Sequence, residues 1–208
     1  MIKISSLIIF AMLLTNCASR YKKINPETIS YASKNIESNI LLEYKYDLLE
    51  KKYRKKETKN NVRLIAVKIT NNTENEIVFG RDFKLSYENG NEVSLIETEK
   101  LFKTTKQSPA SYLWYLLLSP IQVYSGTTTT SNGYYTETKP ANSFPIGVIV
   151  GPGLAGGNMI AASSANKNFK NELMQFDLNT KTIKKGETVY GLIGLNSNNY
   201  DSIKIKMQ

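Results

Sequence analysis

From Gln107 to Thr136, and again from Pro140 to Asn166, this chain contains no charged residue, although 22% of the whole is charged; Glu137 and Lys139 are the interruption. A block of that length must be packed away from water, face a membrane or meet a partner. Its first apolar run, Tyr112-Leu113-Trp114-Tyr115-Leu116-Leu117-Leu118, stops at Ser119-Pro120. That is about two helical turns, well under the roughly 20 residues of a bilayer span. Phe144 to Ala165 has spanning length, but Pro145 and Gly151-Pro152-Gly153 are expected to break it, leaving Leu154 to Lys170 as the longer helix. Between these pieces, Ser125-Gly126-Thr127-Thr128-Thr129-Thr130-Ser131-Asn132-Gly133 reads as a flexible polar loop. The simplest expectation is an apolar, partly helical insert at 107–170 that caps the rest of the fold and buries its own side chains. The alternative is a wedge that places Trp114, Tyr112, Tyr115 and Leu116 at headgroup depth or against a partner.

On either side of the insert the pattern is that of strands. In Ile40-Leu41-Leu42-Glu43-Tyr44-Lys45-Tyr46-Asp47-Leu48 the residues Leu42, Tyr44, Tyr46 and Leu48 share one face, and Glu43, Lys45 and Asp47 the other. Val62-Arg63-Leu64-Ile65-Ala66-Val67-Lys68-Ile69 is β-branched enough for a central strand. Short strands are expected at Glu76 to Phe79, Phe83 to Tyr87 and Val93 to Ile96, with a hairpin turn at Asn89-Gly90. Leu173 to Leu178, Thr188 to Leu195 and Ser202 to Met207 complete the series. Leu42, Tyr44, Leu64, Ala66, Ile69, Val189, Leu192 and Ile193 are the expected core. Length and spacing suggest one domain, an antiparallel β-sandwich at 40–208 interrupted by the insert.

Val67-Lys68-Ile69-Thr70-Asn71-Asn72-Thr73, then Asp82-Phe83-Lys84-Leu85 and Gly90, then Ile183-Lys184-Lys185-Gly186-Glu187-Thr188-Val189-Tyr190-Gly191 resemble the small immunoglobulin-like domains of exported bacterial proteins of unknown function. The resemblance covers Ile40 to Thr98 and Leu173 to Met207. It implies an immunoglobulin-like sandwich in which the Asn-rich turn links two core strands and the Lys-Gly-Glu turn launches a late one. It implies nothing catalytic.

The N-terminus bears on compartment. Lys3 and the run Leu7-Ile8-Ile9-Phe10-Ala11-Met12-Leu13-Leu14 have the form of an export signal. Leu14-Thr15-Asn16-Cys17 then resembles the lipobox of bacterial lipoproteins, with Asn16 where a smaller residue is usual. That resemblance implies cleavage after 1–16 and a lipid on Cys17, the one cysteine of the chain. It also implies residence in the cell envelope, with the outer membrane expected because Ala18 and Ser19 lack an acidic retention signal. Residues 17–39, polar and without sustained periodicity, read as a tether. The expected role is a non-enzymatic structural or binding one, held to the membrane by the lipid and open to another envelope protein as partner.

Several chemistries are disfavoured. With no histidine, the usual Ser-His and Cys-His nucleophile pairs and histidine metal sites are excluded. Asp47, Asp82, Asp177 and Asp201 are scattered, and Asp82 reads as a hydrogen-bonding turn residue. Val148-Ile149-Val150-Gly151-Pro152-Gly153-Leu154-Ala155-Gly156 matches a dinucleotide fingerprint literally, but antiparallel strands follow where βαβ units are needed, so a tight turn is expected and no cofactor. The net charge of +9 is carried mostly by lysine, which argues against a DNA reader built on arginine forks. Nucleic acid is therefore not an expected partner. Lys51, Lys52, Arg54, Lys55 and Lys56 read as a solvated hairpin connection, with an anionic surface as their alternative contact.

Overall fold

The β-branched run after Val62 forms the middle of a five-stranded antiparallel sheet in a computed structural model that describes residues 17–208. The expected signal segment, 1–16, lies outside the described residues. The chain divides into two compact units, a larger one of 19–107 and 165–208 and a smaller one of 108–164 with Cys17 and Ala18. The protein is mainly β, with several antiparallel sheets and one long apolar helix.

In the larger unit, β1 (Ser33–Glu37), β2 (Ile40–Lys45), β3 (Arg63–Asn71), β10 (Thr188–Leu195) and β6 (Leu95–Ile96) follow one another across the main sheet. Two small sheets accompany it, β4 (Ile77–Val78) with β9 (Thr182–Ile183) and β5 (Phe83–Tyr87) with β11 (Ile203–Met207). Ile40, Leu42 and Tyr44 of β2 alternate inward while Leu41, Glu43 and Lys45 stay half-exposed. They join Ile65, Val67, Ile69, Val189 and Ile193 in a core shared with Phe83, Leu85, Ile203 and Ile205 of the small β5–β11 sheet.

The other face of β3 and β10 is covered by helices. Leu64, Ala66 and Leu192 pack with Tyr53 of α1 (Lys51–Lys59), Leu101 of α2 (Thr98–Thr105), and Phe169 and Leu173 of α3 (Gly147–Gln175). This explains why β3 is buried along both faces and why its sequence lacks alternation. All eight expected core residues are buried.

The segments quoted for the immunoglobulin-like resemblance meet in space. The Asn71 side chain donates to the carbonyls of Asn75 (2.8 Å) and Ile183 (2.9 Å), and its Oδ1 accepts from the Thr73 amide (2.9 Å). Its backbone carbonyl accepts from the Gly186 amide at 2.7 Å. A fully buried asparagine thus joins the Asn-rich turn to the Lys-Gly-Glu turn, satisfying backbone groups that neither turn pairs by itself.

Four expectations about elements are corrected. The segment 17–39 is not a free tether, because Ser33–Glu37 pairs with β2 as an edge strand and Ile24 is buried against the helical face. The basic residues Lys51 to Lys56 are not a hairpin connection but part of a helix, Lys51–Lys59, whose Lys, Arg and Glu residues coil around Tyr53 and Glu57, one turn apart on the buried face. Leu173 to Leu178 is not a strand. Phe169, Leu173 and Phe176 keep helical spacing, and α3 continues to Gln175. Leu48 does not share the face of Leu42, since β2 ends at Lys45, Asp47 takes a φ of 58°, and Leu48 turns to the helical cluster.

Within the larger unit, a buried amide network joins Ser19, Tyr53, Gln107 and Asn166. The Gln107 amide donates to Asn166 Oδ1 and Asn166 Nδ2 donates to the Gln107 carbonyl, both at 2.9 Å. Tyr53 Oη donates to the same Asn166 Oδ1 at 3.1 Å. Gln107 Nε2 donates to the Ser19 carbonyl, and the Ser19 amide returns a bond to Gln107 Oε1.

Candidate membrane-facing surface

The smaller unit is built from a 3₁₀ helix (Pro109–Leu118), a hairpin of β7 (Val123–Ser131) and β8 (Thr136–Phe144), and the first part of α3, Gly147 to Ser164. With three residues per turn, positions i and i+3 of a 3₁₀ helix eclipse one another. Tyr112, Tyr115 and Leu118 therefore form one face and pack against Ala155, Ala162, Leu154 and Met159 of α3. The tyrosine rings stack, 6.4 Å between centroids and 4° between planes. The other two rows, Leu113, Trp114, Leu116 and Leu117, point to solvent, with Trp114 73% and Leu117 69% exposed.

α3 meets this 3₁₀ helix closely at its start. A Cβ on Gly147 would lie 2.0 Å from the Leu118 carbonyl oxygen, so only glycine fits. The Gly-x-Gly-x-x-Gly segment is helix, not the tight turn expected. Pro152 falls in its second turn, where it removes one ladder bond without ending the helix. Val148, Ile149 and Ile160 of α3 are exposed.

Cys17 is exposed beside this packing, and the Ala18 amide donates to Asn158 Oδ1 on α3. Burial raises the pKa of the Tyr112 and Tyr115 phenols, and the Cys17 sulfur adds a smaller push in the same direction, which places it near the stacked pair.

The Thr-rich tract is a strand rather than a loop. Ser125 pairs with Asn142, Thr129 with Thr138 and Ser131 with Thr136, and the turn exposes Tyr134 and Tyr135. Four consecutive threonines are β-branched, and that preference outweighs their polarity. Glu137 and Lys139, the charged residues of 108–164, pair with each other at 2.8 Å.

The expectation that the insert buries its own apolar side chains is overturned. Fifteen of the twenty large hydrophobic side chains exposed among the described residues lie in the smaller unit, which is the minor part of the chain. Of the four residues singled out in sequence, Tyr112 and Tyr115 are interior supports, while Trp114 and Leu116 face outward. Leu117, Val148, Ile149 and Ile160 belong to the surface but not to that selection; the threefold spacing of Tyr112, Tyr115 and Leu118 was the signal that would have found Leu117.

The basic residues lie on α1 in the larger unit. Lys51, Arg54 and Lys55 are exposed, Lys52 and Lys56 are half-buried, and Arg54 pairs with Asp47 at 2.5 Å, which reduces the free positive charge. Asp82 accepts from the Val78 amide at 2.8 Å and pairs with Arg81, and Asp177 accepts from Thr98 Oγ1. No group of three or more His, Cys, Asp or Glu positioned for a metal occurs among the described residues.

Comparison with known proteins finds no matching family model, no matching curated protein and no matching solved structure.

Proposed function

We propose that this chain is a lipid-anchored protein of the bacterial cell envelope, without enzymatic activity, whose smaller unit contacts the bilayer and whose larger unit serves as a structural or binding body. The observation that carries the reading is the coincidence, in one unit, of Cys17 and most of the exposed large apolar side chains. Moving side chains such as Trp114, Leu117 and Ile149 out of water is worth about 1.5–3 kcal/mol each, a gain that a lipid surface supplies next to an acylated cysteine. A unit whose charged residues neutralise each other has little electrostatic reason to stay in water.

For the larger unit we favour an immunoglobulin-like sandwich. The core shared by the main sheet and the β5–β11 pair supports it, as does the junction of the Asn71 and Gly186 turns. The helical cover on the other face of the main sheet would then be an addition to the sandwich.

The direct test is acylation. Mass spectrometry of the native protein is expected to find Cys17 as a lipidated N-terminus, and Cys17→Ala is expected to lower the share of the protein that pellets with membranes. An unmodified Cys17 sinks the anchor.

A further inference from the structure

β7 and β8 pair only with each other among the described residues, and every residue of β7 is exposed. A two-stranded hairpin with neither face packed is marginal in isolation. Each of its outer edges presents a row of unpaired amides and carbonyls, the usual template for adding another strand.

The two edges are not equivalent. β8 carries Glu137, Lys139 and Pro140, the charged and imino residues with which natural sheets block edge pairing. β7, Val-Tyr-Ser-Gly-Thr-Thr-Thr-Thr-Ser, has no charge and no proline, and its four consecutive threonines favour the extended state.

We propose that β7 of one chain pairs antiparallel with β7 of a second copy about a twofold axis near Thr127, forming a four-stranded sheet in the order β8-β7-β7-β8. A twofold contact uses the same edge on both partners and closes after two copies. Here the bare edges meet at the centre and the guarded edges remain outside. Val123 then lies opposite Ser131, Ser125 opposite Thr129, and Thr127 opposite its own copy. These three pairs share one face, a row of hydroxyls bounded by Val123 at each end, and no like charges are brought together. Head-to-tail addition, β7 on β8, would instead put Pro140 and Lys139 inside the ladder. The inference rests on the hairpin and is independent of the bilayer contact proposed above.

The test uses the full chain with single cysteines at Ser125, Thr127 and Thr129 on β7 and at Thr138 on β8, the wild-type chain serving as control for Cys17. Directly opposed residues of an antiparallel pair are close enough for a disulfide. Mild oxidation is expected to give a covalent dimer at Thr127→Cys, which lies opposite its own copy, and none above control at Ser125→Cys, Thr129→Cys or Thr138→Cys. Sedimentation in detergent is expected to show a dimer that the double variant Thr127→Lys, Thr129→Lys converts to monomer. A monomeric wild-type chain, cross-linking at Thr138→Cys equal to that on β7, or a dimer unmoved by the lysines overturns the proposal. Vesicle binding measured on the same samples keeps the two readings apart. A monomer that still binds vesicles removes only this inference, and a dimer that ignores them removes only the bilayer contact.

Discussion

Glu57→Gln is expected to change how stability depends on pH. Glu57 is buried on α1, 1% exposed, and its Oε1 accepts the Leu64 amide at 2.6 Å. That amide lies just past the end of β2, whose last partner on β3 is Ala66, so the side chain takes over where the neighbouring strand stops. Burial pushes the carboxyl from its usual 4.5 up to about 7, against the lowering effect of the Leu64 bond and of Arg63. Between these values the folded chain holds a proton that the unfolded chain has released. Stability from this group is therefore fully present below about pH 4.5, falls as pH rises toward 7, and stays low above. The shift corresponds to about 3 kcal/mol, or roughly 6–12 °C in Tm for a chain of this size. Gln keeps an acceptor for Leu64 and carries no charge at any pH. Thermal melts of both proteins from about pH 4 to 8 are expected to agree at the acid end and separate as pH rises, with the variant the more stable at pH 8. Parallel curves, or a variant that loses ground as pH rises, would refute the reasoning. Comparing the two proteins cancels carboxylates such as Glu50, Asp82 and Glu99, whose lowered pKa values give the opposite slope.

Asn166→Ala leaves the Gln107 amide, the Gln107 carbonyl and the Tyr53 hydroxyl without the partner they share, and denaturant unfolding is expected to show a loss of at least about 1–3 kcal/mol. Gly147→Ala sets a Cβ against the Leu118 backbone oxygen, and limited proteolysis is expected to cut the 108–164 segment faster while the larger unit survives.

The strands of the larger unit were legible because their signals are local. Thr188 to Leu195 and Phe83 to Tyr87 fold over the expected ranges, and Asn89-Gly90 makes its turn with Gly90 at a φ of 85°. Elements set by tertiary packing were not. α1 has one apolar anchor, Tyr53, so no periodicity announced it, and only the sheet face it covers gives that residue a place to bury. Pro152 and the glycines around it looked like a break, yet the helix runs through them, and it is Gly147 at its start that sits in tight contact with the Leu118 backbone. The uncharged block at 107–166 was visible as a choice between burial and exposure. A sequence cannot decide that choice, because Tyr112 and Trp114 differ in exposure only through the threefold winding of their helix.

Trp114 is the one tryptophan of the chain and stands on the surface that carries the proposal. The Cys17→Ala chain, which has no lipid to anchor it, is expected to emit in solution near the wavelength of free tryptophan. Its emission is then expected to shift to the blue as anionic vesicles remove water from the indole. Emission already blue without lipid, or unchanged at saturating vesicles, would contradict a bilayer-facing smaller unit.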